Sequence, residues 1–507
     1  MAIRPYRRCP GNSVQSENVS TDASTSPHAP GPVPPEADWR DLMAAACAGL
    51  GMFLAALDIA VNVALPAITA DFGIDLQTVQ WIIVAFVATS AGLVMGAGSF
   101  ADRFGLKPVF LLGTTAYLVS MVSIALSPTL TMVVGFRVLQ AVGTGCLFAA
   151  SPAIAARAFP AHRRGVAMGF VAASQAVGLL AGTLGAGLLV EWFGWQAVFL
   201  GRTPFTLAAL LLGIWFLRRD PPQAQGRSFD VTGAVTLLAA LLCLVIGLRL
   251  GRSVGWASPP VLVLLSLAPL FLVVFWRAEG RAAWPVLPRD LLRIRGFVTS
   301  WSSTFLAHLG VFVIWFIFPF YIADSLGRGP LTLGLMLATM ASFNIGFSAV
   351  GGWLCDRVGP LPVGGSGLAI LAAGLLAMAF LDGGSGPAEV GLRISIVGIG
   401  LGLFQAAAYT LMLGSVPPPR FGTAAAALSL AQSFGTVISV TTIGGIFALS
   451  HNYHLNRLAD SGLPAAEQEG RAFILAFQNV FWLGAALAAL AALPFLLNLR
   501  RKKGPAP

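Results

Sequence analysis

Residues 98–105, Gly-Ser-Phe-Ala-Asp-Arg-Phe-Gly, share a pattern with residues 352–359, Gly-Trp-Leu-Cys-Asp-Arg-Val-Gly. Both read G-x-x-x-D-R-x-G, and both follow a long apolar run. They lie 254 residues apart in a chain of 507. A short basic turn at a membrane surface would account for the arginines, but not for the shared aspartates and glycines. The pattern therefore predicts two homologous halves.

The chain around these motifs is too apolar to be a soluble protein. Hydrophobic residues make up 56% of it and charged residues only 10%, whereas soluble domains carry roughly 25% charged residues. This composition excludes a soluble enzyme, a nucleic-acid-binding protein and a disordered scaffold. Apolar runs of about 20 residues, long enough to cross a bilayer, fall near 42–66, 79–100, 108–127, 131–156, 165–189, 196–217, 231–249, 260–276, 297–321, 331–354, 362–381, 393–415, 423–449 and 473–498. The sequence predicts an all-α polytopic membrane protein with fourteen spans.

The distribution of basic residues predicts the orientation. With a cytoplasmic N-terminus, 23 basic residues fall in inner segments and six in outer loops. Because cytoplasmic loops of membrane proteins are enriched in Lys and Arg, we expect both termini to be cytoplasmic and the protein to reside in the cell membrane. The same bias explains the net charge of +10 without any nucleic-acid partner.

Repeated halves are typical of secondary transporters, in which the binding site lies between the repeats. The segment from Gly98 to Gly113 resembles the loop signature of the major facilitator superfamily. Fourteen spans and the segment from Leu57 to Pro66 are similar to its fourteen-helix drug:proton antiporter branch. The resemblance implies two six-helix bundles and two inserted central helices. The expected domains are a disordered cytoplasmic tail (1–40), an N-terminal bundle (41–220), the inserted helices (221–290), a C-terminal bundle (291–498) and a basic tail (499–507).

Charged groups inside spans are candidates for function, because each costs about 2.5–3.5 kcal/mol on insertion scales. Of 21 acidic residues, only Asp58 lies clearly within a span, and we expect its carboxyl group to bind and release a coupled proton. A permanently paired structural carboxylate is the alternative. Arg137 in the fourth span is the matching cation, and the resemblance links it to proton transfer. The alternative is that Arg137 snorkels to the surface or binds backbone carbonyls.

Two further motifs have roles that the resemblance implies. The repeated loop is expected to act as a conformational latch, in which Asp102 meets a helix N-terminus of the other half. The latch residues are Gly98, Asp102, Arg103, Gly105, Lys107, Asp356 and Arg357. The fifth span carries a small-residue packing motif made of Gly178, Gly182, Gly185 and Gly187. Antiporters of the branch have a proline where this chain has Thr183, and Arg202 stands where asparagine is common.

Polar and aromatic residues that interrupt the apolar spans are candidates for a substrate cavity. They are Asn62, Gln140, Gln175, His308, Trp315, Asn344, Gln405, Tyr409 and Gln432. For each of them, an interhelical hydrogen bond or an interfacial anchor is the alternative. Gln405 and Tyr409 are four residues apart and share a helix face, and His308 would be a second titrating group. An apolar, aromatic cavity favours an amphipathic organic substrate.

These features favour a proton-coupled exporter of drugs, antibiotics or secondary metabolites that works by alternating access. A proton-coupled or facilitative importer of a metabolite is the alternative, since the fifth span lacks the antiporter proline. No nucleophile–base pair, metal-ligand spacing or nucleotide-binding loop is present in the sequence, so we expect no enzyme activity, no metal and no cofactor. The expected partners are the organic substrate, protons and the lipid bilayer, and we expect a functional monomer.

Overall fold

Helices make up every regular element within the described residues. The computed structural model describes residues 39–158, 164–218, 231–253, 255, 257–280, 290–416 and 421–502. The helices are α1 (Trp39–Ala56), α2 (Val61–Phe72), α3 (Leu76–Phe104), α4 (Leu106–Ala125), α5 (Leu130–Ala158), α6 (Arg164–Phe193), α7 (Gln196–Leu200), α8 (Thr203–Phe216), α9 (Val231–Ser253), α10 (Pro259–Glu279), α11 (Arg295–Phe316), α12 (Phe318–Phe320), α13 (Pro330–Val358), α14 (Pro360–Met378), α15 (Pro387–Gly414), α16 (Phe421–Leu458) and α17 (Ala465–Lys502).

Twelve helical segments in the described ranges are long and apolar enough to cross a membrane. Helices α3 and α9 are 29 and 23 residues long, but their described apolar stretches, Thr78–Ser90 and Leu238–Leu248, are shorter than a span. The all-α membrane fold is therefore confirmed, while the count of fourteen spans stays a prediction. The predicted domain boundaries near 220 and 290 fall at stretches outside the described residues, and they stay predictions too.

Helices α1–α8 pack into one bundle and α11–α17 into a second, with α9 and α10 paired beside α3 and α16. Large apolar side chains cover much of the outer surface, including Leu126, Trp192 and Phe193, which are 73%, 68% and 70% exposed. In water such a surface would be unfavourable, whereas a bilayer accommodates it. The exposed apolar surface thus fits a protein surrounded by lipid.

The two copies of the repeated motif adopt the same backbone conformation. Gly105 has φ 90° and Gly359 has φ 86°, a region that side chains disfavour, and each glycine joins two consecutive helices. Eight residues further on, Gly113 and Gly367 also match. A Cβ atom added to either glycine would lie 3.1 Å from the carbonyl oxygen of a glycine on the following helix. The repeat therefore extends into the packing of α4 on α5 and of α14 on α15.

Among the described residues, contacts between the two bundles lie at one end of the molecule. We call this the distal end, and it carries the turns at 73–75, 194–195 and 326–329; the proximal end carries Trp39 and Lys502, where the described chain begins and ends. At the distal end α6 packs on α13, α3 on α16 and α2 on α12. The orientation predicted from charge would make the distal end extracellular.

Candidate functional site

Asp58 lies in a break of the first membrane segment rather than in continuous α-helix. A 3-10 turn, Leu57–Ala60, separates α1 from α2. Helix α6 packs closely here, because Gly178 lies against the Phe53 carbonyl and Gly182 against Leu57. Asn62 donates its side-chain amide to the Ile59 carbonyl at 3.1 Å. A 3-10 segment inside a helix often marks a hinge, and Asp58 sits within this one.

The Asp58 side chain is 8% exposed and accepts hydrogen bonds from three helices. The Gln140 side-chain amide donates to Oδ1, and the Thr144 hydroxyl donates to Oδ2 at 3.1 Å; both residues are on α5. Arg202, at the start of α8, donates Nη1 to Oδ1 at 2.8 Å. The Tyr117 hydroxyl of α4 is 3.5 Å from the same oxygen. One carboxylate therefore connects the first membrane segment to α4, α5 and α8.

Arg137 is buried beside this carboxylate, as the sequence suggested, but it contacts Asp58 mainly through Gln140. Its Nη1 donates to the Gln140 Oε1 atom at 2.6 Å and lies 3.7 Å from Asp58 Oδ1. Its Nε donates to the Ile82 carbonyl of α3 at 3.1 Å, and the guanidinium lies 4.2 Å from the centre of the Phe86 ring. The structure thus combines the two roles considered for Arg137, since it pairs with Asp58 and also binds a backbone carbonyl.

Three members of this cluster were not predicted from the sequence. Arg202 had been noted only as a departure from the family pattern, and its side chain is buried against Asp58 and 3.4 Å from the Tyr117 hydroxyl. Thr144 follows Gln140 by four residues and so shares its helix face, and this spacing could have predicted that it joins the cluster. Tyr117 is one of only five tyrosines in the chain, and it also donates to the Leu54 carbonyl at 3.1 Å.

The buried cluster has two arginines for one carboxylate, so it carries a net positive charge while Asp58 is ionised. Removing one partner of a buried ion pair costs about 3–5 kcal/mol. We therefore expect Asp58→Asn to lower the melting temperature of the purified protein, and the double variant Asp58→Asn/Arg202→Asn to recover part of that loss. Thermal unfolding of the wild type, both single variants and the double variant measures this coupling. Simple addition of the two single effects would contradict the assigned contact.

The predicted packing motif of α6 divides between two partners. Gly178 and Gly182 face the first membrane segment, as described above. Gly187 faces the other bundle, where an added Cβ atom would lie 2.9 Å from the Pro330 carbonyl oxygen and 3.2 Å from the Cα atom of Gly334. Gly185 has nothing within 4 Å of the corresponding position. Gly187 and Gly334 thus face each other in a close contact between α6 and α13, at the distal end.

A carboxylate accompanies this contact between the bundles. Glu191, at the end of α6, accepts a hydrogen bond from the backbone N–H of Leu331 at 3.3 Å. Leu331 is in the first turn of α13, where unpaired N–H groups and the helix dipole favour an anion. The distal contact thus resembles the arrangement expected for the predicted latch, but it uses a different acidic residue at the opposite end.

The predicted latch residues lie at the proximal end. Gly98, Asp102 and Arg103 lie on α3, but their side-chain positions and exposure are not among the described features. Their role in the latch therefore stays a prediction. Lys107 donates its Nζ to the carbonyls of Ile214 and Leu217 at 2.6 and 2.7 Å, and thereby caps the end of α8 in its own bundle. In the second copy Asp356 and Arg357 are exposed, and Arg357 lies 4.0 Å from the Trp353 ring centre.

The predicted cavity residues separate into groups. In the second bundle Asn344 donates to Gln405 at 3.4 Å, and the Tyr409 hydroxyl lies within interacting range of Gln432. These four residues bring α13, α15 and α16 together. Trp315 is buried, and half-buried His308 has its Nδ1 atom 3.0 Å from the Thr304 carbonyl.

The first-bundle candidates do not form a comparable group. Gln140 belongs to the Asp58 cluster, and Asn62 binds the local backbone as described above. Gln175 is exposed on α6. Within the described residues there is no group of three or more His, Cys, Asp or Glu side chains placed to hold a metal ion.

Comparison with known families agrees with this geometry. The model of the Major Facilitator Superfamily matches residues 43–276 and 300–507. The chain belongs to the major facilitator superfamily. It is accordingly a multi-pass membrane transporter of small molecules and not an enzyme. The POT family transporter PepTSo shares the major facilitator fold, with a TM-score of 0.66 and 16% identity over 93% of this chain and 100% of that one.

Two curated members of the superfamily illustrate the range of its relatives. The tetracenomycin C resistance and export protein of Streptomyces glaucescens is 30% identical over 442 residues, which is 84% of this chain and 79% of that protein. The riboflavin transporter RibZ of Clostridioides difficile (strain 630) is 23% identical over 454 residues, 89% of this chain and 96% of that protein. Both similarities extend across most of this chain.

Proposed function

We propose that this transporter exports amphipathic organic compounds, such as antibiotics or drugs, in exchange for protons. The observation that carries the proposal is the Asp58 carboxylate, buried in a break of the first membrane segment and shared by Gln140, Thr144 and Arg202. An ionisable group at membrane depth is a functional candidate by default. The similarity to a tetracenomycin C export protein supports the direction of transport.

Coupling between proton binding and conformation follows because a proton and the hydrogen-bond donors around Asp58 compete for its two carboxylate oxygens. Every partner of Asp58 in the structure donates a hydrogen bond to it or carries a positive charge. A proton on either oxygen turns an acceptor into a donor and removes the negative charge that holds the two arginines, so it weakens the contact with Arg202. Displacement of Arg202 would release α8 from the 3-10 turn. Protonation would thereby favour a different packing of the first bundle.

Alternating access supplies the second half of the mechanism. The contact of Gly187 with Gly334, together with Glu191 on the α13 N-terminus, closes the distal end. If the distal end is extracellular, this state binds substrate from the cytoplasm, and separation of α6 from α13 would release it outside. A shift in such a two-state equilibrium requires differential binding of proton and substrate to the two states. The proton gradient supplies the energy, with no cofactor, and a monomer in the cell membrane suffices.

In this proposal, side chains of the second bundle bind the substrate. Asn344, Gln405, Tyr409 and Gln432 provide a small number of hydrogen-bonding groups among apolar helices. Ligand sites of this kind bury apolar surface and use few polar groups to fix orientation. That balance suits a planar or amphipathic organic compound better than a sugar.

Transport in proteoliposomes tests the proposed direction. Purified protein is reconstituted, an inward proton gradient is imposed, and export is followed across a panel of antibiotics, dyes and vitamins. We expect export of at least one aromatic compound to require the gradient, and to cease when a protonophore collapses it. Gradient-independent equilibration of every transported compound would contradict proton-coupled export.

Import of a metabolite is the second candidate, because a riboflavin transporter is among the relatives and Thr183 replaces the antiporter proline of α6. The same vesicles distinguish the two functions. Uptake of one vitamin or nutrient that follows the proton gradient, without export of any drug in the panel, would favour the importer.

A further inference from the structure

A basic groove lies at the proximal end of the first bundle, away from the Asp58 cluster. It has a volume of about 230 Å³ and is formed by the start of α1, the start of α4 and the ends of α5 and α8. Its charged lining residues are Arg40, Asp41, Lys107, Arg157 and Arg218. Four cations and one carboxylate give the groove a strongly positive charge. The remaining lining is apolar and includes Leu106, Ile154 and Phe216.

The groove is placed at the depth of lipid headgroups. Trp39 and Trp215 at the same end are 58% and 69% exposed, and Trp39 packs edge-on against Phe216 at 5.5 Å between ring centres. Exposed tryptophans concentrate at the membrane–water interface. The charged residues of the groove lie beside these rings, since the Arg40 guanidinium is 5.5 Å from the centre of the Trp39 ring.

A second basic groove occupies the corresponding place in the other bundle. It has a volume of about 440 Å³ and lies between the start of α11 and the end of α17, which are the first and last membrane segments of that bundle. Its described lining residues include Arg293, Arg295 and Asn498, and none of them is acidic. The Asn498 amide donates to Thr299 at 2.5 Å. The first groove likewise lies between the first and last segments of its bundle, so the two sites are related by the repeat.

We propose that each groove binds the headgroup phosphate of an anionic phospholipid from the leaflet at the proximal end. Guanidinium groups match phosphate geometry and form two parallel hydrogen bonds to it. Each guanidinium has five N–H donors, so it can bind a phosphate oxygen and keep a contact within the protein. The apolar part of the lining, which includes Leu106, Ile154 and Phe216, can pack against the carbon atoms of a lipid, which a free ion lacks.

The ion pair between Arg218 and Asp41 in the first groove is weak enough for a lipid phosphate to replace the Asp41 carboxylate. Arg218 lies 3.9 Å from Asp41, and its side chain is 67% exposed. An exposed pair at this distance contributes little to stability. Lys107 is held by two carbonyl oxygens and provides a fixed positive charge at the base of the groove. A phosphate can therefore replace Asp41 as the partner of Arg218 at little cost in stability.

Native mass spectrometry of the full-length protein in a neutral detergent tests the proposal. The probes are dioctanoyl phosphatidylglycerol, the matching phosphatidylcholine and inorganic phosphate. We expect two tightly bound phosphatidylglycerol molecules. The triple variant Arg40→Gln/Arg157→Gln/Arg218→Gln should weaken one of these sites roughly 100-fold, because the contributions of basic residues near an anionic lipid multiply in the binding constant. Adding Arg293→Gln/Arg295→Gln should weaken the other roughly 25-fold.

A control variant that loses the same number of positive charges distinguishes specific binding in the grooves from non-specific electrostatic attraction of anionic lipid to the protein. Arg277→Gln/Arg328→Gln/Arg457→Gln changes three exposed arginines outside both grooves and should keep both lipids. Equal weakening in the control, equal binding of phosphatidylcholine, or phosphate binding as tight as that of the lipid would each overturn the proposal. If the triple variant fails to fold, the single variants Arg40→Gln and Arg218→Gln should each weaken one site about fivefold, and no weakening in either would overturn it as well.

Discussion

Replacement of Asp58 by asparagine is expected to abolish proton-driven export, with residual transport below about 1% of the wild-type rate. The amide keeps the size of the side chain but cannot bind and release a proton or form an ion pair with Arg202 and Arg137. The carboxylate is 8% exposed, and none of its four described polar neighbours is an acidic group that could take over the proton. Export driven by an imposed proton gradient in proteoliposomes measures the effect.

Two controls separate this loss from misfolding. Asp324→Asn removes an exposed carboxylate at the distal end and should leave transport near the wild-type rate. The double variant Asp58→Asn/Arg202→Asn relieves the excess of buried positive charge, so it should be better folded than Asp58→Asn alone and equally inactive. If either variant that lacks Asp58 still exports substrate in response to the proton gradient, Asp58 is not the proton-coupling group.

Replacement of Gly187 by leucine is expected to hold the distal end open and stop the transport cycle. A Cβ atom at this position would already lie 2.9 Å from the Pro330 carbonyl oxygen, so the larger side chain cannot enter the contact with Gly334. Forcing extra carbon atoms into a packed contact costs about 1–3 kcal/mol. A cost of about 2–3 kcal/mol shifts the closed–open equilibrium roughly 30- to 150-fold toward the open state.

Spin labels at the ends of α6 and α13 measure this opening. Trp192→Cys and Arg328→Cys are exposed positions on the two sides of the contact, introduced in a background without the five native cysteines. We expect a longer mean distance in Gly187→Leu than in the parent. Gly185→Leu is the matched control, because a Cβ atom added there meets nothing within 4 Å. An unchanged distance with normal transport in Gly187→Leu would contradict the assigned gate.

The fold was largely predictable because its signals are repeated and local. The matching G-x-x-x-D-R-x-G motifs predicted equivalent halves, and Gly105 and Gly359 indeed share one unusual backbone conformation. Runs of apolar residues predicted the helices, since a bilayer demands about 20 residues per crossing. The 3-10 turn at Leu57–Ala60 was not predicted, because no proline or glycine lies within it; Gly178 and Gly182 of α6 pack beside it.

The candidate site was only partly predictable. Asp58 and Arg137 were identified because charges inside spans are rare, and the structure places them 3.7 Å apart. Arg202 lies at a helix start, where a basic residue could equally be facing solvent, so its burial against Asp58 depends on the packing of α8. The distal contact of Glu191 joins residues 140 positions apart, and no pattern in the sequence connects them.

Infrared difference spectroscopy of the reconstituted protein tests most directly whether Asp58 exchanges a proton for substrate. The carbonyl stretch of a protonated carboxyl group is recorded before and after addition of a transported compound. We expect one carboxyl band to change with substrate in the wild type and in Asp324→Asn, and to be missing in Asp58→Asn. The same band in Asp58→Asn, or no change in the wild type during active transport, would contradict the account.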